Sequence, residues 1–191
     1  MNLKVMNLEV IGITGYKRSG KDTIGDYIVK KHNYIRLAFA DPIKTLCKNV
    51  FTFTDEQLET DKKEDIDDFW GHSPRELLQK IGTELFRETL PKLCTNIDSN
   101  IWIKSLKYKM MRIYKENPQN NKFIITDVRF PNEEKFIRDM NGILIKVNRS
   151  NLCCTNNKHK SESYIEKIVA DYNINNNGTI NELYNKIDHI M

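Results

Sequence analysis

Short apolar runs alternate with amphipathic stretches along the 191 residues of this chain. Residues 8–14 are apolar almost throughout, which is typical of a strand that is buried on both faces of a sheet. Four further apolar runs, at residues 34–39, 122–126, 143–147 and 171–174, predict the remaining strands.

Amphipathic stretches between these runs predict the helices. A helix is expected directly after residue 20, residues 41–114 are mostly helical in pattern, residues 131–140 form a further helix, and Thr179 caps the last one. Strands that alternate with helices in this way indicate an α/β fold, in which a parallel sheet of about five strands is flanked by helices.

Composition limits the classes of function. With 39% hydrophobic residues, the chain suits one domain over residues 1–191. The net charge of +4 comes from 30 basic and 26 acidic side chains that are mixed along the sequence. Such a surface suits phosphorylated small molecules, whereas direct nucleic-acid binders usually carry a clustered basic stripe. We therefore expect no direct nucleic-acid partner.

The sequence also predicts a cytoplasmic protein. It contains no stretch of about 18 apolar residues, so we expect no membrane partner, and no apolar signal segment opens it. Its cysteines have irregular spacings and are interpreted as free thiols in a reducing compartment. They are Cys47, Cys94, Cys153 and Cys154.

The most informative motif follows the first strand. Residues 15–23 read Gly-Tyr-Lys-Arg-Ser-Gly-Lys-Asp-Thr, and the spacing of Gly15, Gly20 and Lys21 fits a loop that cradles nucleotide phosphates. The glycines let backbone N–H groups approach the phosphates, and the following helix offers its unpaired N-terminal donors. A turn that only joins strand to helix is the alternative, but three cations around one turn would repel one another without an anion.

One position of this loop departs from the common pattern. The Ser or Thr expected after the lysine is replaced by Asp22, and a hydroxyl follows one place later at Thr23. The usual hydroxyl ligates Mg²⁺ directly. A carboxylate here can hold a hydrated Mg²⁺, meet the neighbouring lysines, or simply favour the positive end of the helix.

Polar side chains also follow two other predicted strands. Asp41 either contacts substrate or is an N-cap, and Lys44 faces either a substrate phosphate or water. Asp127 can orient Mg²⁺-bound water or hold substrate, and Arg129 can neutralise charge on a transferred phosphoryl group, unless the two form a structural pair. Ligands of parallel sheets lie beyond the carboxyl ends of the strands, so we expect all three segments at one edge.

The helix predicted at residues 73–87 has two faces. One face carries Arg75, Gln79 and Gly82 at spacings of four and three. Glycine inside a helix costs about 1 kcal/mol relative to alanine, so its missing side chain is expected to make room for a flat base or a close helix. Solvated Arg75 and Gln79 beside a packing glycine are the alternative. The other face is an apolar stripe of Leu77, Leu78, Ile81 and Leu85.

Taken together, these motifs resemble the deoxynucleoside monophosphate kinases of tailed phages and large DNA viruses. The resemblance spans nearly the whole chain and is most specific in the loop with Asp22 and in Leu-Gln-Lys-Ile-Gly-Thr at residues 78–83. It implies a P-loop kinase fold and transfer of the γ-phosphoryl group of ATP, with Mg²⁺, to a deoxynucleoside 5′-monophosphate. It also implies the host cytoplasm as location if the protein is viral.

The resemblance also implies roles for individual residues. Lys21, Asp22 and Arg129 would be catalytic, and Mg²⁺ would come with ATP and have no direct protein ligand, being held through Asp22 or Thr23. A helical insertion around residues 41–115 would bind the acceptor, and a lid around residues 129–163 would cover the nucleotide. The residues implied to hold ATP are Gly15, Arg18, Ser19, Gly20, Lys21, Asp22, Thr23 and Arg149. Those expected to bind the monophosphate are Lys17, Asp41, Lys44, Arg75, Gln79, Gly82, Thr83, Trp102 and Asp127.

Two other functions fit the same motifs. One is a kinase of similar fold that phosphorylates phosphomevalonate or dephospho-coenzyme A. The other is a non-catalytic ATP-binding switch, which is less favoured because it would be expected to have Asp-Glu at the strand end, where Asp127 is followed by Val128. The segment before Ser73 is shorter than in the phage enzymes and lies beside the acceptor site, so the preferred base is not predicted. A homodimer is left open.

Overall fold

The computed structural model describes residues 6–150 and 164–191. These residues form two compact units. The helical unit is Phe39–Ser105, and the sheet unit consists of the described residues on either side of it. The prediction of one domain with an insertion around 41–115 stays a prediction.

A five-stranded parallel sheet forms the centre of the sheet unit, with spatial order β2-β3-β1-β4-β5. The expected parallel sheet of about five strands is therefore confirmed. Because the strands are parallel, their carboxyl ends share one edge. The strands are β1 (Glu9–Thr14), β2 (Ile35–Leu37), β3 (Lys122–Ile125), β4 (Ile143–Asn148) and β5 (Tyr172–Asn175).

Helices alternate with these strands and fill the helical unit. A π-helix occupies Lys80–Thr89, and short 3₁₀ turns occupy Asp61–Glu64 and Ile165–Lys167. Nowhere in the described parts of the chain is a helix both long and apolar enough to cross a membrane. The α-helices are α1 (Lys21–His32), α2 (Asp41–Val50), α3 (Asp55–Glu59), α4 (Pro74–Gln79), α5 (Leu90–Leu93), α6 (Ile101–Glu116), α7 (Pro131–Asp139) and α8 (Ile180–Asp188).

Both faces of the sheet are covered. On one face, α1 and α8 pack over Ile11, Ile13 and the neighbouring strands. Side chains alternate between the faces of a strand, so Gly12 faces the other side, where a Cβ would lie 3.0 Å from Ile137 Cγ1 of α7. This arrangement explains why β1 is apolar at consecutive positions.

One sequence prediction about the helical unit is wrong. The expected regular helix at residues 73–87 changes from α4 to a π-helix at Lys80. Hydrogen bonds of a π-helix run from residue i to i+5, so residues four apart no longer share a face. Leu85 is therefore 47% exposed while Ile81 is buried, and the predicted apolar stripe ends there.

Candidate active site

The loop between β1 and α1 has a backbone that only small residues allow at two points. Gly15 and Gly20 have φ angles of 146° and 104°. A Cβ on Gly15 would collide with the carbonyl oxygen of Val147, and one on Gly20 would collide with the amide of Asn176. Both glycines are therefore required where the sequence predicts a phosphate loop, and Gly20 leaves the start of α1 without a capping side chain.

Two hydroxyl groups are buried at this loop. Thr14 ends β1 and Ser19 lies within the loop, and both side chains are fully buried. Among the described residues, neither hydroxyl has a hydrogen-bond partner. An unpartnered buried polar group costs about 1–3 kcal/mol, which is typical of a site that is completed by a ligand or by water.

Lys21 is the first residue of α1 and is almost completely buried. Its side chain is 7% exposed, and its ammonium group donates a hydrogen bond of 2.6 Å to the carbonyl oxygen of Tyr16. The contact holds the lysine over the loop that precedes it. Its charge lies at the positive end of the helix, which an anion would stabilise.

Asp22 pairs with an arginine that the sequence analysis missed. Its carboxylate forms an ion pair with Nη2 of Arg36 in β2. Nη1 of Arg36 also donates to Asp26 at 2.6 Å, and its Nε donates to the hydroxyl of Thr126 at 3.3 Å. Burial of the guanidinium lowers its pKa, but the two carboxylates outweigh burial and raise it. In the sequence, the one sign of this role is that Arg36 is a charged residue in the middle of the short strand β2.

The segment after β3 carries the second group of predicted residues. Asp127 and Arg129 are both half-buried, and the backbone N–H of the intervening Val128 donates to Ile13 of β1 at 3.1 Å. Glu133, which is 2% exposed, accepts hydrogen bonds from the backbone N–H groups of Arg129 at 2.8 Å and Phe130 at 3.1 Å. The sequence analysis did not single out Glu133, although the third position of a helix, which it occupies in α7, is typical of a capping residue.

The turn after β5 connects to both the loop and the end of β4. The Asn176 amide donates to the carbonyl oxygen of Ser19 at 2.9 Å. Asn177 accepts from the backbone N–H of Ser150 at 2.8 Å, beside the exposed Arg149. The carboxyl edge of the sheet therefore carries the loop, Asp127 with Arg129, and Arg149. Of the lid predicted around residues 129–163, the described part up to residue 150 contains α7 and β4. Residues 151–163, with Cys153 and Cys154, lie outside the described residues.

In the helical unit, two predicted residues differ from the sequence interpretation, one in its place in a helix and one in its partner. Ala40 is the N-cap of α2, so the interpretation of Asp41 as an N-cap is wrong, and Asp41 is the first helical residue. The ammonium of Lys44 contacts both carboxylate oxygens of Glu59, at 2.8 and 2.6 Å. Lys44 thus faces a carboxylate, not open solvent.

Gly82 lies at a close contact between helices. A Cβ there would be 2.8 Å from Cδ1 of Ile43 in α2, so the missing side chain makes room for a neighbouring helix. The buried indole of Trp102 donates to the Gly82 carbonyl oxygen at 2.8 Å. Nearby in sequence, Gln79 is half-buried, Thr83 is buried, and Arg75 donates to Glu64 at 3.0 Å.

The predicted residues therefore form two groups. The sheet unit holds Gly15, Lys17, Arg18, Ser19, Gly20, Lys21, Asp22, Thr23, Asp127, Arg129 and Arg149. The helical unit holds Asp41, Lys44, Arg75, Gln79, Gly82, Thr83 and Trp102.

Sequence comparison finds relatives over almost the whole chain. A family model described as deoxynucleotide monophosphate kinase matches residues 9–71 and 48–187. A protein of Acanthamoeba polyphaga mimivirus, named provisionally as such a kinase, is 36% identical over 182 residues and 93% of each chain. The deoxynucleotide monophosphate kinase of Enterobacteria phage T4 is 24% identical over an alignment 250 positions long, which covers 96% of this chain and 99% of the phage protein.

Structure comparison supports the fold. The dephospho-CoA kinase of Campylobacter jejuni superposes with a TM-score of 0.51 at 14% sequence identity, over 95% of this chain and 94% of that one. At this level of identity the likeness establishes the fold, which is that of the P-loop kinases.

Proposed function

This chain belongs to the deoxynucleotide monophosphate kinase family, and we propose on that premise that it transfers the γ-phosphoryl group of ATP to a deoxynucleoside 5′-monophosphate. The observation that carries the proposal is the loop before α1, in which two required glycines and a buried lysine meet at the start of a helix. The named relatives come from viruses, which favours the host cytoplasm as location.

The residues of the loop fit the phosphates of ATP. The backbone approaches closely at Gly15 and Gly20, and the orphaned hydroxyl of Ser19 offers a further polar partner. Lys21 and the first turn of α1 supply positive charge. Arg18, Thr23 and Arg149 are the other residues that we assign to ATP, and Lys17 would lie between donor and acceptor.

Mg²⁺ prefers the oxygen ligands that this edge of the sheet offers. Asp22, Thr23 and Asp127 are the residues that would hold it, directly or through water. When bound, Mg²⁺ neutralises charge on the phosphate oxygens during transfer.

Phosphoryl transfer needs positioning and charge neutralisation more than covalent chemistry. In the proposed mechanism Lys21 stays with the moving phosphoryl group, and Arg129 stabilises its negative charge. The buried Glu133 holds the backbone of Arg129 and thereby helps to orient it. No covalent intermediate with the protein is required.

In the sheet unit, we assign Asp127, at the carboxyl edge of the sheet, to the acceptor. From the family resemblance alone, we also assign to it residues of the helical unit, which is described by itself. In that unit Lys44 and Arg75 each pair with a glutamate, and a substrate phosphate would compete for these cations. The assigned residues of the helical unit are Asp41, Lys44, Arg75, Gln79, Gly82, Thr83 and Trp102.

A coupled assay of ADP release tests the function. The protein is given Mg²⁺-ATP with dAMP, dCMP, dGMP or dTMP, and in parallel with phosphomevalonate or dephospho-coenzyme A. We expect ADP release with at least one deoxynucleotide and none with the other two acceptors. Silence with every deoxynucleotide, alongside measurable ATP binding, would contradict the proposal, and release with phosphomevalonate alone would favour that rival function.

A further inference from the structure

Arg36 links three elements of the sheet unit at the proposed site. From β2, its guanidinium reaches Asp22 and Asp26 on successive turns of α1 and the hydroxyl of Thr126 just beyond β3. Asp22 is adjacent to Lys21, and Thr126 is adjacent to Asp127. The guanidinium therefore contacts Asp22, the residue after the ATP-assigned Lys21. It also contacts Thr126, the residue before the acceptor-assigned Asp127.

A close approach of α1 to the end of β3 accompanies this link. Gly25 is buried on α1, and a Cβ there would lie 2.7 Å from Cγ2 of Thr126 and 3.8 Å from Nε of Arg36. The backbone N–H of Thr126 also donates to Leu37 of β2 at 3.3 Å. Thr126 is thus held on three sides, by α1, by β2 and by the guanidinium.

Stability alone does not account for this arrangement. The side chains of Asp22 and Asp26 are 76% and 69% exposed, and exposed ion pairs contribute about 0–1 kcal/mol. The planar guanidinium instead offers a fixed fork of donors that a lysine cannot reproduce. Such a fork fixes the direction of the groups it binds.

We propose that Arg36 is a positioning residue for phosphoryl transfer, which acts through Asp22 on the first turn of α1 and through Thr126 beside Asp127. This inference rests on the proposed function. Asp22 stands where a hydroxyl usually follows the lysine, and the inference gives its carboxylate a role as the partner of Arg36 in addition to the role toward Mg²⁺ assigned above.

The chain offers a matched control in Arg138. Its guanidinium pairs with Asp171 and donates to the carbonyl oxygen of Val169 at 2.7 Å, and its side chain is 34% exposed, against 35% for Arg36. Arg36→Lys and Arg138→Lys thus make the same chemical change at two equally exposed arginines. We expect Arg36→Lys to lower kcat about 10- to 100-fold, as small misplacements do, with KM values and melting temperature close to those of Arg138→Lys.

Two further variants isolate the contact with Thr126. Thr126→Val removes the hydroxyl at nearly constant volume, whereas Thr126→Ser keeps it. We expect Thr126→Val to lower kcat and Thr126→Ser to retain it. If either arginine variant fails to fold, this pair still tests the proposal.

Hydrogen exchange of the ligand-free protein provides a readout that does not depend on activity. A peptide covering residues 21–28 should exchange faster in Arg36→Lys than in Arg138→Lys. Equal exchange and equal kcat in these two variants would overturn the inference. If the native protein phosphorylates no deoxynucleotide, the proposed function fails, and the exchange result still decides whether Arg36 holds α1.

Discussion

Lys21 combines a charge with almost complete burial. Its ammonium contacts the loop backbone at Tyr16, and its position at the start of α1 adds the positive end of the helix dipole. An anion in the loop would neutralise this buried cation and could accept hydrogen bonds from the unpartnered hydroxyls of Thr14 and Ser19. The same side chain on the exposed part of α1 would have no such role.

Replacing this lysine tests its role in turnover. We expect Lys21→Met to lower kcat by about two to three orders of magnitude, the loss typical of removing one group that stabilises transition-state charge. Lys31→Met is the control, because Lys31 lies on the same helix and pairs with Asp188 at the surface. Equal steady-state rates for the two variants would contradict the role of Lys21.

Two cysteines differ strongly in their surroundings. Cys47 is fully buried in α2, where burial raises the pKa of its thiol to about 11, whereas Cys94 is exposed. Because the thiolate is the reactive form, iodoacetamide at pH 8 should modify Cys94 and leave Cys47 untouched until urea is added. Peptide mass mapping measures both sites, and rapid labelling of Cys47 in the folded protein would contradict this description of α2.

At the scale of elements, the sequence predicted the sheet better than the helices. The cores of β1, β3 and β4 are continuous apolar runs, a pattern that depends only on local sequence. The π-helix has no distinct sequence pattern, because apolar residues three and four apart predict a regular α-helix. That spacing places Leu85 in the core, but in the π-helix its side chain is exposed.

The sequence does not predict the roles of Arg36 and Thr126 for a different reason. Arg36 of β2 binds both Asp22 of α1 and Thr126 of the segment after β3, and these residues are distant in sequence. A sequence pattern could reveal the charged residue in β2 but not its partners. The roles assigned to the site residues stay predictions until they are tested by substitution.

Packing at Gly82 predicts coupling between α2 and the π-helix. Gly82→Ala gains about 1 kcal/mol in helix propensity but crowds Cδ1 of Ile43, and overpacking costs about 1–3 kcal/mol. Ile43→Val removes that methyl group. We expect the double variant to be more stable than the sum of the single changes by about 0.5–3 kcal/mol in urea unfolding. Additive effects would show that the two helices do not press on each other here.

The whole molecule consists of a helical unit and a sheet unit, and the sheet unit carries the loop before α1. If the loop holds ATP, binding must stabilise the folded state, by about 2.7 kcal/mol at a concentration one hundred times the dissociation constant. For a protein of this size that corresponds to a rise of roughly 5–10 °C in melting temperature. Lys21→Met should abolish most of the rise, and an equal rise in the variant would place ATP elsewhere.

The most direct test of the central claim follows the phosphoryl group itself. The protein is incubated with Mg²⁺ and ATP labelled on its γ-phosphate, together with each deoxynucleoside monophosphate, and the products are separated by chromatography. We predict that the label appears in a deoxynucleoside diphosphate, and that Lys21→Met forms almost none of it. Label that stays in ATP, or that appears only as inorganic phosphate, would contradict the assignment of this site to phosphoryl transfer.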